Sequence, residues 1–384
     1  MPGATAWAVL KPPNFGKCCF ACLTKCANNR LGRFLYRQPS PGVNSMKSAK
    51  ENDARSQGSA YSRRVEEEIK IHRNKIVVHD LPDIAHYWSN KFMLPQFSVL
   101  GFRNSKELFA KTMVEFCQGT DGSCQFVSVG SGNCDIEIEL AGEVSNNGFK
   151  NFQIECIDLN SEMLSRGIKL ATEKGISERM VFTNTDINHW QAAGGYDLVL
   201  ANQSLHHFLD LEILFDKIWH FLKPDGKFLT QDMIGRNGHM RWPETLEIIQ
   251  TLWKELPATH RYNHMLARYE EEYENWDCSE QSFEGIRAQD ILPLLVKKFG
   301  FELFAAWGGI IDVFIDRRFG PNFDKSRDWD RQFIDRVHHL NQAKIMNGEI
   351  KPTQMIAVMT KLKSSSTVTA WNLLPELSVR ECNL

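Results

Sequence analysis

Between Phe126 and Asp135 the chain reads FVSVGSGNCD. An apolar run ends in Gly130-Ser131-Gly132, and from Asn133 a helix opens with Ile136 and Leu140 four apart. Glycines at a strand-to-helix turn let the backbone come close to a ligand, and the helix start adds free N–H donors. Alone, a G-x-G marks an ordinary tight turn equally well. A second short apolar run, ECIDLNSEML, carries Asp158, 26 residues after Gly132. In a nucleotide-binding βαβ unit an acid at that separation takes the ribose hydroxyls, because one carboxylate accepts both protons. Asp186 follows in VFTNTDI, then Asn202 and the pair His206-His207 in YDLVLANQSLHHF, then Asp232 in LKPDGKFLTQD. A histidine, whose unperturbed pKa is near neutrality, suits a general base. Asp232 is an alternative base, or an anchor for the backbone loop.

These residues all fall at the ends of apolar runs. Strand-like segments at 126–129, 155–158, 181–187, 196–202 and 222–232 alternate with helical ones, which predicts a parallel sheet with right-handed crossovers and a ligand at the strands' carboxyl ends. Ahead of them, Leu108, Phe109, Met113 and Phe116 are spaced as one helix face. Ser161 is placed to cap a helix that ends at Gly175, and Leu209–Leu222 is a strongly apolar helix before the turn Lys223-Pro224-Asp225-Gly226. Beyond Asp232 we expect helices at Pro243–Leu256 and Ala288–Phe299, a strand at Phe301–Trp307, and a last strand at Met355–Met359 forming an antiparallel hairpin with it. The stretch 310–350, with a helix at Trp329–Met346, is too long for a hairpin loop, and insertions of that length shape binding pockets.

Residues 126–232 resemble the class I S-adenosylmethionine-dependent methyltransferases of the small-molecule type. The resemblance implies a Rossmann-like α/β fold: a seven-stranded, mostly parallel sheet with helices on both faces, an N-terminal helical segment and C-terminal insertions. It implies S-adenosyl-L-methionine as cofactor. Its contacts then fall on Ser128, Gly130, Ser131, Gly132 and Asn133 at the first turn, and on Asp158, Leu159 and Met163 at the second. Asp186 and Ile187 follow at the third strand and Asn202 at the fourth, with His206, His207 and Asp232 as candidate catalytic groups. Two positions depart from the family pattern. Its usual acid two residues before the first glycine is Ser128, and its usual third glycine is Cys134. In such enzymes the segment before the sheet caps the cofactor pocket, which makes Tyr87 and Trp88 lid candidates. His239, Arg241, Arg261, Tyr262, His264 and Arg318 stand in the inserts, as pocket or surface groups.

The chain has 384 residues, 42% of them apolar and 24% charged, with a net charge of −2. That is an ordinary globular composition, and it creates no global field toward nucleic acid or anionic membrane. No run reaches a membrane span. Ten cysteines outside any small secreted framework fit reduced thiols in a cytoplasmic protein, with Cys117, Cys124, Cys156 and Cys278 as small buried groups. Residues 1–50 hold eight Lys or Arg and no Asp or Glu, with Cys18, Cys19, Cys22 and Cys26 crowded together. Nine residues make one tight cluster rather than the two separated pairs of a zinc site. We therefore expect 1–64 to be a disordered extension, or one that precedes a true start at Met46. A methyltransferase domain at 65–362 follows, with its cofactor core at 120–235 and substrate-covering inserts at 236–285 and 309–351, and a flexible tail at 363–384.

Three other functions compete. A nucleic-acid methyltransferase of the amino-group class places Asn or Asp before Pro-Pro and an aromatic where this chain has ANQSL, and no Pro-Cys nucleophile occurs. An NAD oxidoreductase needs a third glycine. A cofactor-binding scaffold without catalysis is kept open by Ser128 and Cys134. The methyl acceptor is expected to be a small polar or anionic molecule, and no metal ligand set is read from the sequence.

Overall fold

The computed structural model describes residues 61–70, 81–192, 194–280, 282–363 and 366–380. The cysteine-rich segment and Met46 lie outside the described residues. Residues 61–70 form helix α1, so helical structure is present four residues before the expected boundary at Val65. Helix α2 (Asp83–Trp88) runs through one π turn (Ser89–Met93) into α3 (Leu94–Val99). Next comes α4 (Ser105–Gln118), whose cap Asn104 accepts the Glu107 N–H at 2.9 Å.

From there strand and helix alternate: β1 (Cys124–Val129), α5 (Asp135–Asn146), β2 (Phe152–Asp158), α6 (Ser161–Glu173), β3 (Met180–Asn184), β4 (Tyr196–Asn202), α7 (Leu211–Phe221) and β5 (Leu222–Met233). The cap of α6 is Asn160, not Ser161: its side-chain oxygen accepts the N–H groups of Glu162 and Met163. The C-terminal part comprises α8 (Pro243–Glu255), the short hairpin β6–β7 (Tyr262–Asn263, Arg268–Tyr269), α9 (Ala288–Lys298), β8 (Gly300–Trp307), α10 (Asp312–Ile315), α11 (Asp328–Met346) and β9 (Gln354–Thr360).

The main sheet runs β10-β8-β9-β5-β4-β1-β2-β3. β3, β2, β1, β4 and β5 are mutually parallel, and β9 is antiparallel to both β5 and β8, as the expected hairpin requires. The eighth strand corrects the expected seven. It is β10 (Val368–Thr369), which pairs in parallel with β8 and comes from the supposed flexible tail. That tail docks because it has apolar residues to bury: Ala370 and Leu373 are inside, and α12 (Pro375–Ser378) follows. Arg380 then stacks over Trp242 and pairs with Glu244.

Because helices cover both faces, the central strands read as continuous apolar runs. Phe228 of β5 is fully buried between Phe215 and Phe299, at ring-centroid distances of 6.4 and 5.5 Å. The order reverses between β1 and β4, which opens a crevice at their carboxyl ends.

Candidate active site

The turn after β1 has the backbone a ligand loop needs. Gly130 and Gly132 have φ of +69° and +56°, a region that L side chains rarely adopt. A Cβ on Gly130 would stand 2.7 Å from the Ser204 Cβ, so the turn closes against β4's loop only with glycine there. Both family departures meet local compensation. Ser128 donates its Oγ–H to Glu137 Oε1 at 2.6 Å, so a buried carboxylate from α5 lies where the strand lacks one. Cys134 itself adopts φ +57°, and its side chain is accommodated by Gly167 of α6, where a Cβ would meet Cys134 Sγ at 3.1 Å.

A cavity of about 920 Å³, including its mouth, opens over this turn. Of the sequence candidates, Gly130, Gly132, Asp158, Leu159, Met163, Asp186, Ile187 and His207 line it. Asp158 accepts the Gly132 N–H on Oδ2 at 2.8 Å and the Asn160 N–H on Oδ1 at 2.7 Å. The two turns are thereby tied together through a carboxylate that faces the cavity. Asp186 accepts the Asn188 N–H at 2.8 Å and the Tyr61 hydroxyl at 2.6 Å. Burial and this carboxylate push the Tyr61 pKa up, so the phenol stays protonated.

Ser128, Ser131, Asn133 and Asn202 are not in the cavity wall. Ser131 Oγ bonds the Ile157 carbonyl at 3.3 Å and Asn133 Oδ1 accepts from Arg166 at 2.8 Å, so both serve the turn itself. Asp232 and His206 are fully buried behind the wall, which separates them from the general-base expectation. Asp232 Oδ2 accepts the Ser204 and Leu205 N–H groups at 2.9 and 2.7 Å. Its Oδ1 accepts the Met233 N–H at 2.8 Å and the His206 Nδ1–H at 2.6 Å. Those four donors make it an anchor for the loop that walls the cavity. Burial works against charge on His206, but the Asp232 carboxylate outweighs it and raises its pKa to about 9. His207, the neighbour that does reach the cavity, has Nδ1 at 3.2 Å from Glu68 Oε1.

Sequence reasoning missed the cover. Tyr61, Glu68 and Ile69 of α1 and Phe283 of the insert all line the cavity. Arg64 holds α1 there by donating to the carbonyls of Ser279 and Ser282 at 2.8 and 2.6 Å. No local signal in its sequence says that α1 crosses to the cofactor turn. Glu284 was missed too. It lies 2.7 Å from His239 Nε2 and 3.5 Å from His206 Nε2, and burial, which would raise its pKa, is overridden by His207, His206 and His239.

A second cavity, about 760 Å³, lies between α2–α3 and the ends of β5 and β9. Leu81, Ala85, Trp88, Met93, Phe97, Trp307 and Ile315 line it, with Gln231, Gln354, Asn104, Asp312 and Asp316 as polar groups. Trp88 lines this second cavity and not the cofactor cavity that the lid expectation set it over. Tyr87 lines neither, and bonds Asp335 at 3.0 Å instead. The two cavities adjoin: Gln203 of the first donates its N–H to the carbonyl of Gln231 in the second at 2.8 Å. None of His239, Arg241, Arg261, Tyr262, His264 and Arg318 lines either one. Arg318 pairs with Asp316 at 2.8 Å and Arg241 approaches Asp312 at 3.5 Å, both buried. Among the described residues no helix is long and apolar enough to cross a membrane.

Residues 120–295 match the methyltransferase domain family. No curated protein matches the chain. Among solved structures, a geranyl diphosphate C-methyltransferase from Streptomyces coelicolor is similar at 11% identity and a TM-score of 0.40, covering 78% of this chain and 98% of that one. The [4+2]-cyclase SpnF is 15% identical at a TM-score of 0.37, over 67% of this chain and 83% of its own. An O-methyltransferase from a trans-AT polyketide synthase of Brevibacillus brevis is 13% identical at 0.36, over 71% and 78%.

Proposed function

We propose that this chain, whose residues 120–295 match the methyltransferase domain family, is a class I S-adenosylmethionine-dependent methyltransferase acting on a small molecule with an apolar body held in the second cavity. The observation carrying this reading is the adjacency of the two cavities across Gln203 and Gln231, at the carboxyl ends of β4 and β5.

The residues of the first cavity fit the cofactor. Its turn is free of Cβ atoms at 130 and 132, and Asp158, oriented by two backbone N–H groups, faces the cavity with the acceptor type that ribose hydroxyls need. Asp186, Ile187 and Met163 would flank the base. The cofactor brings an electrophilic methyl on a sulfonium, so positioning of the acceptor provides much of the rate. The chain's task is to orient, to exclude water and to cover. Tyr61 and Phe283 do the covering, and His207 is the histidine at the wall, suited to take a proton from an acceptor hydroxyl.

The second cavity has no Lys, Arg or His in its wall, and its two carboxylates already face buried arginines. That disfavours the anionic acceptor expected from the inserts. An apolar or neutral molecule with one amide-complementary group, facing Gln231 and Gln354, suits it.

The test is a panel of apolar alcohols, phenols and amines with labelled cofactor, run with wild type and Trp88→Ala. Turnover with an acceptor whose KM rises at least tenfold in the variant, at unchanged S-adenosylhomocysteine affinity, supports the assignment. A rise in neither, or an equal loss of cofactor binding, refutes the second cavity as the acceptor site. Any turnover disposes of the non-catalytic scaffold.

A further inference from the structure

His206, His239 and Glu284 come from three separated stretches and meet in the interior, just behind the cofactor cavity. His206 Nε2 lies 3.5 Å and His239 Nε2 2.7 Å from Glu284 Oε1, and one donor atom of each residue lies within 4.8 Å of the others. Donors held about 2.1 Å from a first-row divalent ion stand about 3.0 Å apart in octahedral and about 3.4 Å apart in tetrahedral geometry. The two Glu284 distances, 3.5 and 2.7 Å, bracket these spacings.

Two features separate it from an ordinary buried hydrogen-bond network. His206 Nε2 and Glu284 Oε2 have no hydrogen-bond partner among the described residues, although these residues are 0% and 3% exposed. Such atoms are costly inside a protein unless something ligates them. Independently, His206 Nδ1 is taken by Asp232 at 2.6 Å, which leaves Nε2 as the nitrogen turned into the cluster. A carboxylate behind a histidine is the arrangement that orients metal-binding imidazoles. His207 is placed alike, with Nδ1 3.2 Å from Glu68 and Nε2 3.8 Å from Glu284 Oε2.

We propose that His206, His239 and Glu284 bind a divalent first-row transition-metal ion, with His207 as the adjacent donor on the cavity side. Two imidazoles and one carboxylate suit Mn²⁺, Fe²⁺, Co²⁺ or Zn²⁺, whereas Mg²⁺ and Ca²⁺ call for oxygen donors. The ion sits one residue from the cavity wall, at the loop that Asp232 anchors.

The experiment titrates chelator-treated full-length protein with Mn²⁺ and Zn²⁺ by calorimetry and with Co²⁺ by absorption. Expected are one Mn²⁺ per chain and Co²⁺ ligand-field bands without an intense thiolate charge-transfer band, which sets this site apart from the N-terminal cysteines. Binding should weaken at least 100-fold in His239→Ala and in Glu284→Gln. In Asp232→Asn, which alters the carboxylate behind His206 together with the loop anchor, it should weaken about 10- to 100-fold. S-adenosylhomocysteine binding, measured on the same variants, shows that they fold. Absence of saturable Mn²⁺ and Co²⁺ binding in wild type, or binding undiminished in folded Glu284→Gln, overturns the proposal. Either result leaves methyl transfer standing, since cofactor binding is read separately.

Discussion

Lowering the pH should detach the helices over the second cavity through a single imidazole. His338 of α11 is 7% exposed, stacked on Phe92 at 3.9 Å, and its Nδ1 accepts the Trp88 indole N–H at 3.1 Å. Only a neutral ring can accept there. Burial, reinforced by the charge of His339 and Lys91 and opposed by Asp335, lowers its pKa from 6.5 to about 4. The unfolded chain therefore binds a proton at higher pH than the folded one. The associated stability is complete above pH 6.5 and is lost as pH falls from 6.5 toward 4. A gap of 2.5 units at 1.36 kcal/mol each is about 3 kcal/mol, of which about 2 kcal/mol lies between pH 7 and 4.5. The assay is urea unfolding at those two pH values for wild type and His338→Gln, whose amide oxygen can accept the same indole N–H without titrating. Wild type should lose about 2 kcal/mol more than the variant across the interval. Parallel losses in the two proteins would refute the assignment of this step to His338.

Two further outcomes follow from the cofactor turn and its cover. Gly130→Ala should abolish S-adenosylhomocysteine binding, because the new Cβ meets Ser204 at 2.7 Å in a left-handed conformation; retained affinity by calorimetry would contradict the turn geometry. Tyr61→Phe removes one hydrogen bond to Asp186, a loss of about 1.5–3 kcal/mol from the docking of α1. Faster proteolysis within 61–70, suppressed less by cofactor than in wild type, is the expected readout, and unchanged protection would remove Tyr61 from the cover.

The parallel half of the sheet was legible because most of its strands are buried apolar runs, and Gly130, Asp158, Asp186 and Asp232, at or just after strand ends, line the cavity or anchor its loop. Local periodicity carries that much. It does not carry where a side chain goes once the strand has ended. His206 and His207 are adjacent in sequence, yet the turn at Leu205–His207 sends one into the interior and leaves the other at the cavity. The same holds for Ser128, which read as a lost acid: its hydroxyl meets the Glu137 carboxylate of the next helix, nine residues on. Glu284 and Tyr61 have no neighbours that mark them, since their partners His239 and Asp186 are 45 and 125 residues away. The tail was misjudged for a related reason. A two-residue strand has too little pattern to be seen, and Val368–Thr369 exists only because the edge of β8 is there to receive it.

The central claim, that the turn after β1 and Asp158 cradle S-adenosylmethionine, is tested most directly by calorimetry of wild type and Asp158→Ala with the cofactor and its demethylated product. Wild type should bind both. The variant should lose at least about 100-fold, because two charge-assisted hydrogen bonds at about 1.5–3 kcal/mol each are removed. A wild-type chain that binds neither, or a variant that binds as tightly as wild type, would contradict the account.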